Sequence, residues 1–298
     1  MSTLCQILSK TWRIITAHPR QYSTLSALFL LPISISAMLY TFFSQPASLH
    51  SHYLQSLFTI STPASNSQLL TTLIYFLSTL LFGLCANPSI TYTTFAAFYN
   101  KPVELIPSLN SILISFFPLL ATLFLTQIVV GLIIFGSGVL MLVAYYGLVI
   151  LLGFHIDGRC FFVIAVIIMM GLIYLQVEWC LSTAVVVLES KWGFAPLKRS
   201  SYLVKGTRKV ALSMSLLSMT VGGLLSMWYL NVAANRGGAS KGWFCVEMVV
   251  YVVLTTLLSL FAMVANTVLF IYCKASHGET AVVIDEETGV KYVALAKV

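Results

Sequence analysis

Glu178 is the side chain in this sequence best placed to do chemistry. It lies about eighteen residues into an apolar run and two or three helical turns before that run ends. An ionisable residue within such a run is costly to hold and marks a functional site by default. In a low-dielectric cavity its neutral acid form would be favoured, so it could carry or donate a proton. The structural alternative is that it reaches interfacial water or bonds a neighbouring helix. Other candidate chemistry is sparse. His50 and His52 make a His-x-His pair without partner ligands, and we expect no metal site. The six cysteines are scattered and contain no Cys-x-x-Cys pair, which argues against a disulfide framework or a zinc site. Cys5, Cys160 and Cys273 fall near predicted membrane boundaries, where S-acylation is chemically open to them, although small apolar filler is the plainer role. There is no His-Glu-x-x-His motif, phosphate-binding loop, aspartate-rich diphosphate motif or Gly-x-Ser-x-Gly elbow, and no cofactor is expected.

The elements that must position Glu178 are membrane helices. Of the 298 residues, 59% are hydrophobic and 8% charged, against roughly 25% charged in soluble domains. Apolar stretches long enough to cross a bilayer recur, and they do not alternate as barrel strands would. The fold class is therefore all-α, a polytopic membrane helix bundle of about six crossings with an N-terminal interfacial amphipathic helix. The organisation expected is a cytosolic interfacial helix over 1–22, a bundle over 23–273 and a cytosolic tail over 274–298.

In residues 3–17, Leu4, Leu8, Trp12 and Ile15 share one face and Gln6, Lys10 and Arg13 another. That pattern suits an interface, with Trp12 at headgroup depth, and His18-Pro19 ends it. Spans are expected at about 25–43, kinked at Pro32, and 69–95, where a break at Asn87-Pro88 would free carbonyls that could line a cavity, although a structural kink is the commoner explanation. Residues 111–154 hold 44 residues without a charge. Two crossings there would put the later basic connector outside, so one crossing plus a re-entrant or strongly tilted piece is preferred, with Gly136-Ser137-Gly138 as the natural break. Later spans fall at about 161–188, 210–230 and 243–273. Ser218, Gly222 and Ser226, four residues apart, form a small-residue stripe suited to helix packing. Asp285 to Gly289 reads as a turn between two short β-prone runs.

The connector over 189–209 carries the clearest topological signal. It holds Lys191, Lys198, Arg199, Lys205, Arg208 and Lys209 against one acidic residue, Glu189, and the positive-inside rule places it and both termini in the cytosol. Pro196 could open a short helix here, with Lys198, Lys205 and Lys209 at roughly helical spacing. Lys198, Arg199, Lys205, Arg208 and Lys209 are the candidate residues for anionic lipid on the cytosolic face, or for membrane-protein partners. Glu189 and Arg199 could form a local ion pair. The formal charge of +7 fits lipid contact and orientation, and no nucleic-acid motif accompanies it.

Trp179, Leu181, Val185, Val186, Leu188 and Glu189, then Gly193 and Ala195, then Arg199-Ser200 with Leu203 and Gly206 form an extended signature. Tyr99-Asn100-Lys101-Pro102-Val103 and Tyr272-Cys273-Lys274-Ala275-Ser276-His277-Gly278-Glu279 add to it. In these residues the chain resembles a large plant family of six-span membrane proteins with no established biochemical role. It is also similar to a bacterial membrane module sometimes fused to glycerophosphodiester phosphodiesterases. The soluble phosphodiesterase barrel is absent from the sequence, so that activity is not carried over. In the family pattern the position of Glu178 is uncharged, which makes this acid either the mark of a specialised member or a chance substitution.

Three functions follow as expectations. The first is a non-enzymatic scaffold, lipid-interacting or trafficking component of the endoplasmic reticulum or plasma membrane. The second is a carrier of a lipid or apolar metabolite. The third is a membrane-embedded isomerase or cyclase using Glu178 as proton donor, with aromatic side chains stabilising a cation.

Overall fold

The computed structural model describes residues 2–44, 66–99, 105–152, 158–234, 241–279, 281–285 and 289–293. His50, His52 and the 99–103 connector beyond Tyr99 lie outside them. Ten α-helices occur among the described residues: α1 (Ser2–Ala17), α2 (Pro19–Leu25), α3 (Leu31–Ser44), α4 (Asn66–Phe98), α5 (Leu105–Leu152), α6 (Gly158–Trp179), α7 (Ser182–Glu189), α8 (Phe194–Val204), α9 (Arg208–Ala234) and α10 (Lys241–Ser276). Six stretches are long and apolar enough to cross a membrane: Pro19–Thr41, Leu69–Phe98, Ser115–Gly147, Val163–Glu189, Arg208–Ala233 and Gly242–Ser276. The protein is thus an all-α, multi-pass integral membrane protein. A single antiparallel hairpin, β1 (Ala281–Asp285) with β2 (Gly289–Val293), is the only sheet among the described residues. Its register pairs Asp285 with Gly289, around the turn expected from the sequence.

The chain forms two compact units. One comprises Met1–Phe116 and Ser213–Leu269, the other Phe117–Leu212 and Phe270–Val298.

In the first unit, α1 packs through Ile7, Thr11 and Ile14, all buried, while Trp12 is 64% exposed. The buried stripe therefore runs one position off the face read from Leu4, Leu8, Trp12 and Ile15. Thr11 can sit within it because its hydroxyl donates to the Ile7 carbonyl at 2.8 Å, which satisfies the one polar group on that face. Pro19 opens α2 at its first turn, where its missing N–H costs nothing. Ahead of Pro32, a π-helical turn spans Ser26–Leu30, and the Leu31 N–H reaches back to the Ser26 carbonyl. The wider register absorbs the proline within the span, as π-bulges do inside α-helices.

Polar contacts tie the helices of this unit. Tyr22 donates to Thr94 at 3.1 Å, Thr256 to Ser34 at 2.9 Å, and Tyr229 to the Met38 carbonyl at 2.9 Å. Tyr229 also stacks on Tyr251 with ring centroids 4.3 Å apart, in a core with Met248 and Val252.

Neither of the two candidate breaks interrupts its helix. At Asn87-Pro88, α4 runs on through the proline. The Asn87 side chain donates to the Gly83 carbonyl at 2.8 Å and Ser89 to the Cys85 carbonyl at 2.9 Å. The acceptor that Pro88 leaves without an N–H is the Leu84 carbonyl, four residues back, and these side-chain bonds fall on the carbonyls either side of it. At Gly136-Ser137-Gly138, α5 is likewise continuous. Glycine lowers helix stability only modestly, and Ser137 bonds the Ile134 carbonyl within the helix at 2.8 Å. With 48 residues α5 runs for about 72 Å, as one helix and not two antiparallel ones.

The small-residue stripe meets α10 at Gly222 and at Ser226, the latter in hydrogen-bond contact with Tyr251. A Cβ added to Gly222 would meet Leu258 Cδ2 at an ordinary 3.7 Å, and Ser226 is exposed while bonding the Gly222 carbonyl of its own helix. Gly222 faces α10, but no close backbone approach depends on its lacking a side chain.

Candidate functional site

Glu178 stands in the last turn of α6, immediately before an interruption. After Trp179 the helix gives way to a turn at Cys180 and Leu181, and α7 restarts at Ser182. No proline or glycine occurs at 176–184. The break is held from a distance: Ser200 on α8, fully buried, donates to the Glu178 backbone carbonyl at 2.7 Å. That bond supplies a partner to a carbonyl at the helix end, which buried backbone requires. Leu181 is fully buried in the turn and accepts from the Val185 N–H at 3.0 Å, starting α7.

The Glu178 side chain is itself only 5% exposed. Its Oε2 accepts a hydrogen bond from Ser201 Oγ. Its Oε1 lies 2.8 Å from Arg208 Nη2, an ion pair whose donor is not aligned for a hydrogen bond. Arg208 opens α9 and is 45% exposed, with its guanidinium 5.7 Å from the Tyr174 ring. One buried acid thus joins α6, α8 and the start of α9. Both its oxygens are engaged, so it is presented as an acceptor and counter-ion and not as a free acid.

A second cluster is built on Glu189, at the C-terminal end of α7. Lys191 Nζ lies 2.9 Å from Oε2, Arg199 Nε 3.3 Å from Oε2 and Lys274 Nζ 3.3 Å from Oε1. Arg199 also pairs with Glu279 and lies 5.6 Å from the Tyr202 ring, whose other neighbour is His277 at 5.0 Å between centroids. Burial opposes the Arg199 cation, but the bonds to Glu279 and Glu189 outweigh it and raise its pKa above the ordinary arginine value. Beside this cluster, Thr207 and Cys273 are in contact at 3.0 Å. The tail and the connector are therefore joined by a carboxylate on each, through Arg199 and Lys274.

The five connector cations read from the sequence separate into two groups. Arg199 and Arg208 are consumed by carboxylates, whereas Lys198, Lys205 and Lys209 are exposed. The latter three do not share one helix. α8 ends at Val204, Lys205 and Gly206 turn the chain, with Gly206 at φ 97°, and α9 begins at Arg208. A glycine takes that left-handed conformation without strain, so the turn interrupts the spacing that suggested a continuous helix. Pro196, Leu197, Ser200, Leu203 and Val204 on α8 are buried, whereas Lys198 and Tyr202 are exposed.

Sequence reasoning placed Glu178 and the Glu189–Arg199 contact but missed Ser200, Ser201 and the attachment of Lys274 and Glu279. Ser200, Lys274 and Glu279 belong to the extended signature, but nothing in their spacing shows which groups they bond, and Ser201 carries no local signal. The family described as a domain of unknown function, DUF8558, matches residues 2–288. The chain belongs to that family. Among curated proteins and among solved structures, none matches the chain. In this DUF8558 chain no group of three or more His, Cys, Asp or Glu side chains suited to a metal ion occurs among the described residues.

Proposed function

We propose that this protein is a non-enzymatic integral membrane component, a scaffold, lipid-interacting or trafficking protein, whose connector and tail engage anionic lipid or a membrane-protein partner. The observation that carries the reading is the engagement of Glu178 by Ser201 and Arg208, next to three lysines left exposed on the connector. A proton donor must offer its proton to a substrate within hydrogen-bond reach, and this acid is committed to fixed partners. The carrier reading loses two of its supports, because the helices run unbroken through Asn87-Pro88 and Gly136-Ser137-Gly138.

The proposed orientation has both termini and the connector in the cytosol. Six crossings then place thirteen of the sixteen Lys and Arg residues on the cytosolic side, leaving Arg159, Arg236 and Lys241 opposite. That bias is the one cytosolic segments carry. Residence in the endoplasmic reticulum or plasma membrane, and kinship with plant six-span proteins, are part of the same proposal.

The test replaces Lys198, Lys205 and Lys209 together by Gln, leaving both carboxylate clusters intact. The triple variant should fold as wild type yet change its membrane location or lose co-purifying lipid and protein partners. An unchanged location and an unchanged partner set would remove the proposal.

A further inference from the structure

The second unit contains a groove of about 610 Å³ that involves α5 and the loop between α7 and α8. Phe117, Pro118, Ala121 and Phe124 line it from α5, and Ser190 and Trp192 from the loop. The size lies within the roughly 300–1,000 Å³ of ligand sites. Phe117 and Phe124 belong to the candidate span Ser115–Gly147, and Ser190 follows directly on the end of the span Val163–Glu189. Apolar residues at one end and the loop at the other place the groove across the boundary between hydrocarbon and headgroups. Trp192, 70% exposed, has the amphipathic ring that favours this depth.

The loop also carries charge. Lys191 stands between Ser190 and Trp192, and its side chain is 44% exposed, against 20% for Arg199 and 18% for Lys274. Among the described residues these three cations pair with Glu189 and Glu279, three basic groups to two carboxylates. Lys191, 2.9 Å from Glu189, is the most exposed of the three, and its sequence neighbours Ser190 and Trp192 both line the groove.

We propose that the groove binds one anionic phospholipid of the leaflet that faces the connector, with an acyl chain against Phe117, Ala121 and Phe124 and the headgroup phosphate at Lys191. The apolar lining requires a chain, and Lys191, the most exposed cation of a cluster with three basic groups to two carboxylates among the described residues, selects an anionic headgroup over a zwitterionic one. This inference deepens the lipid-binding reading given above and rests on it. The site is distinct from the exposed trio Lys198, Lys205 and Lys209, so the two can fail separately.

The test uses the full chain in detergent, titrated with phosphatidic acid and with phosphatidylcholine of matched chains, with bound lipid counted by native mass spectrometry. Wild type should prefer phosphatidic acid by about fivefold, the worth of one basic residue at an anionic surface. Lys191→Gln should lose that preference and keep chain binding. Ala121→Phe, which fills the groove from an exposed position, should lose both, and its melting temperature, close to wild type, should show that it folds. Equal binding of the two lipids by wild type, or Ala121→Phe binding as wild type does, would overturn the site. If the site fails while the Lys198, Lys205 and Lys209 variant still changes location or partners, the broader reading stands without it. If that variant is also unchanged, both fall.

Discussion

Removing either member of the Glu178–Arg208 pair should not cost the same. Glu178 has a side chain 5% exposed and Arg208 one 45% exposed. Arg208→Gln leaves a buried carboxylate with Ser201 as its remaining side-chain partner. Breaking a fully buried pair in this way costs about 3–5 kcal/mol, and the water that reaches Arg208 reduces the attraction lost, so about 2 kcal/mol is expected. Glu178→Gln removes the charge that needs a counter-ion and still offers Ser201 an acceptor. The Arg208 guanidinium it releases can turn to water, so about 1 kcal/mol is expected, near the worth of one hydrogen bond. The double variant should then be more stable than Arg208→Gln alone, because it holds no buried charge. Denaturation of the purified protein in mixed detergent, followed by tryptophan fluorescence, gives all four free energies of the cycle. Equal losses for the two single variants, or losses that add in the double variant, would refute the assignment of Glu178 as the buried, dependent partner.

Other substitutions test the remaining geometry by the same melts. Ser200→Ala should cost about 1–3 kcal/mol, since it orphans the buried Glu178 carbonyl at the end of α6. Gly193→Ala should destabilise by about 1 kcal/mol, because Gly193 caps α8 at φ 72° where a Cβ is strained. Gly222→Ala should be neutral or stabilising by up to about 1 kcal/mol, as Leu258 stands at ordinary contact distance and alanine is the better helix former. Tyr229→Phe should lose about 1 kcal/mol with its bond to the Met38 carbonyl while keeping the stack on Tyr251.

What the sequence made legible followed from periodicity and composition. The six spans rest on runs of apolar residues, and the end of α1 rests on Pro19, each a signal carried by neighbouring positions. The tail hairpin was legible from its turn residues in the same way. Where a helix breaks was less legible. Asn87-Pro88 and Gly136-Ser137-Gly138 offer places for a break, but α4 and α5 run on through them, since proline and glycine are tolerated inside membrane helices. Conversely, the interruption at Cys180-Leu181 lacks any local breaker and is stabilised by Ser200, on another helix. The role of Glu178 was open for the same reason. Its position in an apolar run marked it as special, but only the placement of Ser201 and Arg208 shows that it is already partnered.

The measurement that tests the central claim most directly is untargeted lipid and metabolite profiling of cells carrying no copy, the wild type or Glu178→Gln. A structural role for this carboxylate predicts that wild-type and Glu178→Gln profiles coincide once the two proteins are matched in abundance. A defined compound that shifts with the wild type and not with Glu178→Gln would contradict it, and would make this buried acid a participant in chemistry or transport.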